Sequence, residues 1–317
     1  MGRNKLLLEE KTKNKDLSGK IYIVTGANSG VGLETTRQLI KQGATVIMAC
    51  RRVDAGKQVA ESFSNLKGKA SVLKLDLSDL NSVRTFVKEF LSKYDKLDGI
   101  DCNAGAVIMG TKAIYTVDDL EMTMAISYFG HFLLVELLLD ILKQSIDGRI
   151  VMLSSCVHAG NEKNRPYVHF DDMNYKLRKY NAMNAYCEAK VASVLYVVEL
   201  ANRLKDTNVT AYSVHPGWAR SNFGKGNTFM RVLSPVMAPF IRSMTDSNEE
   251  SAQTSLYCLI SDEACRYSGS FFSQSSVLYS DKYCKDGGWP LKSPNPNATD
   301  EKKANELVKL TYKIVGL

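Results

Sequence analysis

Residues Ile21–Gly32 read Ile-Tyr-Ile-Val-Thr-Gly-Ala-Asn-Ser-Gly-Val-Gly, a short β-rich run that stops at a glycine and passes into a helical pattern. Glycine accepts positive φ and lets a backbone come close to a ligand. A helix N-terminus adds free N–H donors and a partial positive charge. The spacing is GxxxGxG rather than GxGxxG, and by itself it reads as an ordinary tight turn. Placed after a first strand and at the opening of a first helix, it points to a site for a dinucleotide pyrophosphate.

Outward from this loop the chain alternates. Helical spacing over residues 34–42 ends at Gly43, a good helix stop. Further strands are expected at 44–49, 71–75, 99–102, 149–153, 209–214 and 270–272. Helices are expected at 54–65, 80–93, 120–144, 182–205, 251–259 and 300–315. Short apolar strands alternating with helices imply right-handed crossovers and an α/β fold. The expectation is a single doubly wound (Rossmann-type) domain with a mainly parallel sheet flanked by helices. A length of 317 residues suggests two domains, yet the alternation runs without a boundary. We therefore read residues 1–18 as a charged N-terminal extension and 19–317 as one dinucleotide-binding domain. Within it, 218–247 reads as a substrate lid and 284–317 as a loop followed by a last helix.

Composition agrees with a well-cored globular chain: 44% hydrophobic and 24% charged, with too little glycine and proline for a fibrous or low-complexity one. The formal charge of +7 is spread along the sequence, which argues against nucleic acid as partner. Seven cysteines form no CxxC pair and four histidines do not cluster with them, so no metal site is expected. No signal peptide or membrane anchor is read, and the apolar stretch 132–142 is interrupted by Glu136 and Asp140. A reducing, cytoplasmic location is the expectation.

In such folds ligands sit beyond the carboxyl ends of the strands. The second strand ends Ala49-Cys50-Arg51-Arg52, with no carboxylate before Asp54. An NAD site usually places an acid here for the ribose 2′-hydroxyl, whereas guanidinium suits a 2′-phosphate. NADP (NADPH) is expected, with NAD as the alternative. The third strand ends at Asp76-Leu77, near an adenine position, and the fourth at Asn103-Ala-Gly105. Tyr186 and Lys190 stand four apart in a helical segment and so share a face. A nearby ammonium and a positively charged nicotinamide would draw the phenol pKa toward the working range. Ser154-Ser155 ends one strand, where a hydroxyl can hold a carbonyl or alcohol oxygen, and His215-Pro-Gly-Trp218 ends the next with a sharp turn.

Taken together, TGANSGVG, ACRR, LDL, CNAG, GHFLLVELLLDIL, RIVMLSS, YCEAK and SVHPGW resemble the short-chain dehydrogenase/reductase family. The chain is most similar to its retinol-dehydrogenase-like branch, which includes the WW-domain oxidoreductase, although no WW module is present. The resemblance implies Tyr186 as general acid/base, Lys190 as its ribose-binding partner and Ser155, rather than Ser154, as the substrate-orienting serine. It also implies cofactor contacts from Gly26, Ser29, Gly30, Val31, Gly32, Asp76, Leu77, Asn103, Gly105 and the turn Pro216, Gly217, Trp218 and Ser221. Family members often pair through helices, which implies a homodimer. Ser127 stands where the family usually has an asparagine that continues the proton relay. The shorter hydroxyl could still hold a water.

The stretch 218–247 carries Phe223, Phe229, Met230, Phe240 and Met244, so an apolar substrate is expected: a retinoid, a steroid or another lipid-like molecule. Arg231 and Arg242 flank these residues and leave peripheral membrane contact open. Two functions follow. One is an NADP(H)-dependent oxidoreductase interconverting an alcohol and its carbonyl. The other is a cofactor-binding regulator or scaffold with weak turnover because of Ser127.

Overall fold

The computed structural model describes residues 7–219, 245–274 and 292–317. Most of the expected lid, Ser221 and the first part of the 284–300 loop lie outside these residues. In chain order the elements are α1 (Glu10–Lys13), β1 (Ile21–Thr25), α2 (Gly30–Lys41), β2 (Thr45–Cys50), α3 (Val53–Glu61), β3 (Lys69–Lys74) and α4 (Leu80–Lys93). Then come β4 (Gly99–Cys102), α5 (Met122–Lys143), β5 (Gly148–Leu153), α6 (Ala182–Arg203), β6 (Val209–His215), α7 (Asn248–Ile260), β7 (Phe271–Ser273) and α8 (Glu301–Val315).

The seven strands form one sheet in the order β3-β2-β1-β4-β5-β6-β7, and every pairing is parallel. Parallel strands buried on both faces explain why they read as near-continuous apolar runs. Alternate side chains feed two cores. Ile23, Ile47 and Ile100 pack with α4, α5 and α6 through residues such as Phe86, Phe132 and Leu195. Val24, Val46 and Met48 pack with α2 and α7 through Leu39, Ile40, Leu256 and Leu259. Strand order reverses between β1 and β4, and a crevice opens at such a point beyond the carboxyl ends.

Local chemistry sets the helix starts. Asp79 caps α4 by accepting from Asn81 and Ser82 N–H, and Ser247 with Glu250 forms a capping box on α7. Helix α2 begins at Gly30, earlier than the expected residue 34, so the glycine turn runs directly into its first turn.

Helix α5 is longer than the apolar stretch 132–142 and contains a π turn over Ala125–Phe129. By length and composition it could cross a membrane, but 78% of its most apolar window is buried inside the domain. It is a core helix. Residues 7–18, expected as an extension, lie on the domain: Leu8 and Leu17 are buried, and Gln42 Nε2 donates to the carbonyls of Thr12 at 2.8 Å and Lys15 at 3.0 Å.

Candidate active site

A cleft of about 850 Å³ opens at the carboxyl ends of the strands. Its wall includes Gly26, Ser29, Gly30, Val31, Arg51, Arg52, Asp76, Leu77, Asn103 and Gly105 on one side, and Ser155, Tyr186, Lys190, Pro216, Gly217 and Trp218 on the other. Residues from the ends of six strands, β1 to β6, and from helix α6 thus meet in one place. Gly32 and Ser127 stand behind this wall, and Ser221 lies outside the described residues.

The glycine loop is built for close approach. Gly30 has φ +60°, and a Cβ on Gly32 would come within 2.4 Å of Asn103 Nδ2 and 2.9 Å of the Gly26 carbonyl. Ser29 makes no side-chain cap, so the first-turn N–H groups of α2 are left for a ligand. Asn103 closes the base of the loop by donating to the Thr25 carbonyl at 2.8 Å. Thr25 Oγ1 accepts the Ala104 N–H at 2.9 Å and lies 2.9 Å from His131 Nε2, a buried support that the sequence reading missed. Arg51 and Arg52 are exposed at the cleft edge. Asp76 accepts from the Ser78 N–H and hydroxyl, which fixes the turn beside them.

At the other end, Ser154 and Ser155 separate in role. The Ser154 hydroxyl donates to the Lys190 carbonyl at 2.9 Å and fastens β5 to α6. Ser155 instead lines the cleft together with Tyr186, its hydroxyl near enough to favour the phenolate. Burial pushes that phenol up, and the Ser155 contact opposes the shift without overcoming it. Lys190 was expected to draw the phenol down. In the chain alone it does not: its Nζ lies 5.5 Å from the ring centroid and donates to the Leu153 carbonyl at 2.7 Å. Burial lowers Lys190 itself to about 8. One of its three N–H groups is satisfied by Leu153, which leaves donors for a ribose.

Ser127 donates weakly to the Ala106 carbonyl at 3.4 Å. A Cβ on Gly105 would lie 3.5 Å from Lys190 Nζ and 3.9 Å from Ser127 Oγ, so the two groups flank that glycine. The Pro216–Trp218 turn is pinned from outside the expected set. Asp246 Oδ2 accepts the Trp218 N–H at 3.1 Å, and Gly217 adopts φ +87° with no room for a Cβ against that carboxylate. Nothing local to Asp246 in the sequence signals this contact.

These features fit a nicotinamide dinucleotide. Gly26 and Gly30, at φ +65° and +60°, line the cleft, Ser29 leaves the first turn of α2 without a side-chain cap, and Arg51 and Arg52 stand at the edge of the same cleft.

Comparison with known proteins gives the same direction. A family model described as short chain dehydrogenase matches residues 20–168. Retinol dehydrogenase 11 of Mus musculus is 40% identical over 270 residues, covering 84% of this chain and 82% of that protein. Retinol dehydrogenase 13 of Homo sapiens is 35% identical over 308 residues, covering 95% of this chain and 86% of that one. Among solved structures, an uncharacterized Mycobacterium paratuberculosis protein superposes with a TM-score of 0.71 at 28% identity, over 95% of both chains.

Proposed function

The chain belongs to the short-chain dehydrogenase family, in its retinol-dehydrogenase-like branch, and from that premise we propose that it is an NADP(H)-dependent enzyme interconverting an alcohol and its carbonyl on an apolar substrate. The observation that carries the reading is that Ser155 and Tyr186 line the same cleft whose wall also presents Arg51 and Arg52.

The residues divide the work. The first turn of α2 and the Gly26–Gly32 loop bind the pyrophosphate, and Lys190 holds the nicotinamide ribose. Arg51 and Arg52 take the 2′-phosphate through charge-assisted contacts. The bound dinucleotide supplies or accepts the hydride. Ser155 holds the substrate oxygen by hydrogen bonding, and Tyr186 gives or takes the proton at that atom. The raised phenol keeps its proton at neutral pH, which suits Tyr186 to donate during carbonyl reduction.

An apolar substrate, such as a retinoid, a steroid or another lipid-like carbonyl, is supported by the cleft mouth. Met109, Met183 and Trp218 line it while roughly half or more exposed, and Val107, Ile126 and Val157 continue the surface inward. The same rim supports peripheral contact with a membrane. Cytoplasmic placement, supported by six described cysteines that are all free, and a homodimer complete the proposal.

A screen of carbonyls and alcohols with both cofactors tests this reading. Turnover of apolar carbonyls with NADPH preferred over NADH is expected, and equal use of the two would refute the assignment of Arg51 and Arg52. The second reading, a cofactor-binding regulator with weak turnover, rests on Ser127 bonding Ala106. Tight NADPH binding with no turnover across the panel would favour it.

A further inference from the structure

The loop that follows Ser155 is fastened by the far end of the chain. His158 lies in the 3₁₀ turn Cys156–Ala159 and is fully buried. Its Nδ1 stands 2.6 Å from the Ser155 carbonyl oxygen and its Nε2 2.7 Å from Ser293 Oγ. A carbonyl only accepts, so Nδ1 carries the ring proton and Nε2 accepts from the Ser293 hydroxyl. Burial keeps the ring neutral by pushing it down to about 4. The Ser293 oxygen in turn accepts the Asn295 backbone N–H at 3.1 Å. The Asn295 side-chain amide donates one hydrogen to the His158 carbonyl at 2.7 Å and the other to the Pro166 carbonyl at 2.8 Å. Ser293 and Asn295 are buried as well.

Every donor and acceptor in this series has a partner, and a fully satisfied buried network rigidifies what it holds. What it holds is the backbone of Ser155 and both ends of the 158–166 loop. We propose that His158, Ser293 and Asn295 are positioning residues that set the Ser155 hydroxyl against Tyr186, making the segment after residue 292 part of the catalytic apparatus. This rests on the reading of Ser155 as the group that orients the substrate oxygen. None of the three residues lines the cleft, so each acts through the Ser155 main chain.

A double-mutant cycle on the full chain tests it. Ser293→Ala should lower kcat about tenfold with the NADPH Kd unchanged within about twofold, and Ser293→Thr should restore it. In a Ser155→Ala background, Ser293→Ala should lower kcat no further. The same fractional loss in both backgrounds would overturn the proposal, because a general loss of stability adds while positioning of an absent hydroxyl cannot. Ser155→Ala with full kcat would instead refute the reading of Ser155 and the proposal with it. Hydrogen exchange reads the clamp without turnover: the amides of 154–160 should exchange at least about tenfold faster in Ser293→Ala. Unchanged protection there would overturn the clamp even if the chain proves active.

Discussion

Asp101 on β4 gives a prediction whose size follows from its surroundings. Its side chain points into the core shared with α2 and α7, with Val24 and Val151 as its neighbours in register on either side. The residue is fully buried, and neither carboxylate oxygen reaches a hydrogen-bond partner among the described residues. Burial raises its pKa from 3.8 to about 7, the nearby Ser255 hydroxyl opposing the shift without cancelling it. The folded chain therefore prefers the protonated acid, while the unfolded chain ionises near the ordinary carboxylate value. Stability from this group is full below about pH 4, is lost as pH rises, and levels off above about pH 7. A shift of about 3 units at ~1.4 kcal/mol each gives an upper figure of about 4 kcal/mol. Asp101→Asn keeps the shape and removes the titration. Its amide leaves buried donors unpaired at every pH, so the informative quantity is the pH dependence rather than the absolute stability. Urea unfolding from about pH 4 to about pH 8 should show the wild type losing up to about 4 kcal/mol relative to Asp101→Asn. Parallel pH profiles for the two proteins would refute the argument that Asp101 is held neutral by burial.

Three further outcomes are expected. Arg51→Ala with Arg52→Ala should raise the NADPH Kd about 10- to 100-fold, as for the loss of one or two charge-assisted contacts, and leave the NADH Kd within about threefold by fluorescence titration. Ser154→Ala should lower stability by about 1 kcal/mol in chemical denaturation with kcat within about twofold, whereas Ser155→Ala should lower kcat at least about a hundredfold. Gly217→Ala places a Cβ 2.3 Å from Asp246 Oδ2 at φ +87°, so it should destabilise by roughly 1–3 kcal/mol, seen as a lower melting temperature; an unchanged one would mean the turn relaxes freely.

Where a segment's own chemistry decides its structure, the sequence was legible. Asp79 before the periodic run marks the start of α4, and the apolar run Val46–Cys50 marks β2. The carboxyl-end rule then brings Arg51, Asn103 and Ser155 to one cleft. The π turn in α5 was not legible, because a helix apolar on all sides carries no phase in its pattern. Nor was the direction of the Tyr186 shift. Spacing shows that Lys190 is near, but not that burial dominates and that the amine turns to Leu153. The clamp on His158 and the Asp246 contact join residues 135 and 28 positions apart, and no local pattern encodes such pairings.

The central claim is that Tyr186, held against Ser155, moves a proton while hydride passes to or from NADP(H). The most direct measurement follows NADPH oxidation with an apolar carbonyl for the wild type and for Tyr186→Phe, alongside the NADPH Kd of each. The account predicts turnover in the wild type, a loss of at least about a thousandfold in the variant, and Kd values within about threefold of each other. Equal turnover by the two proteins would contradict it.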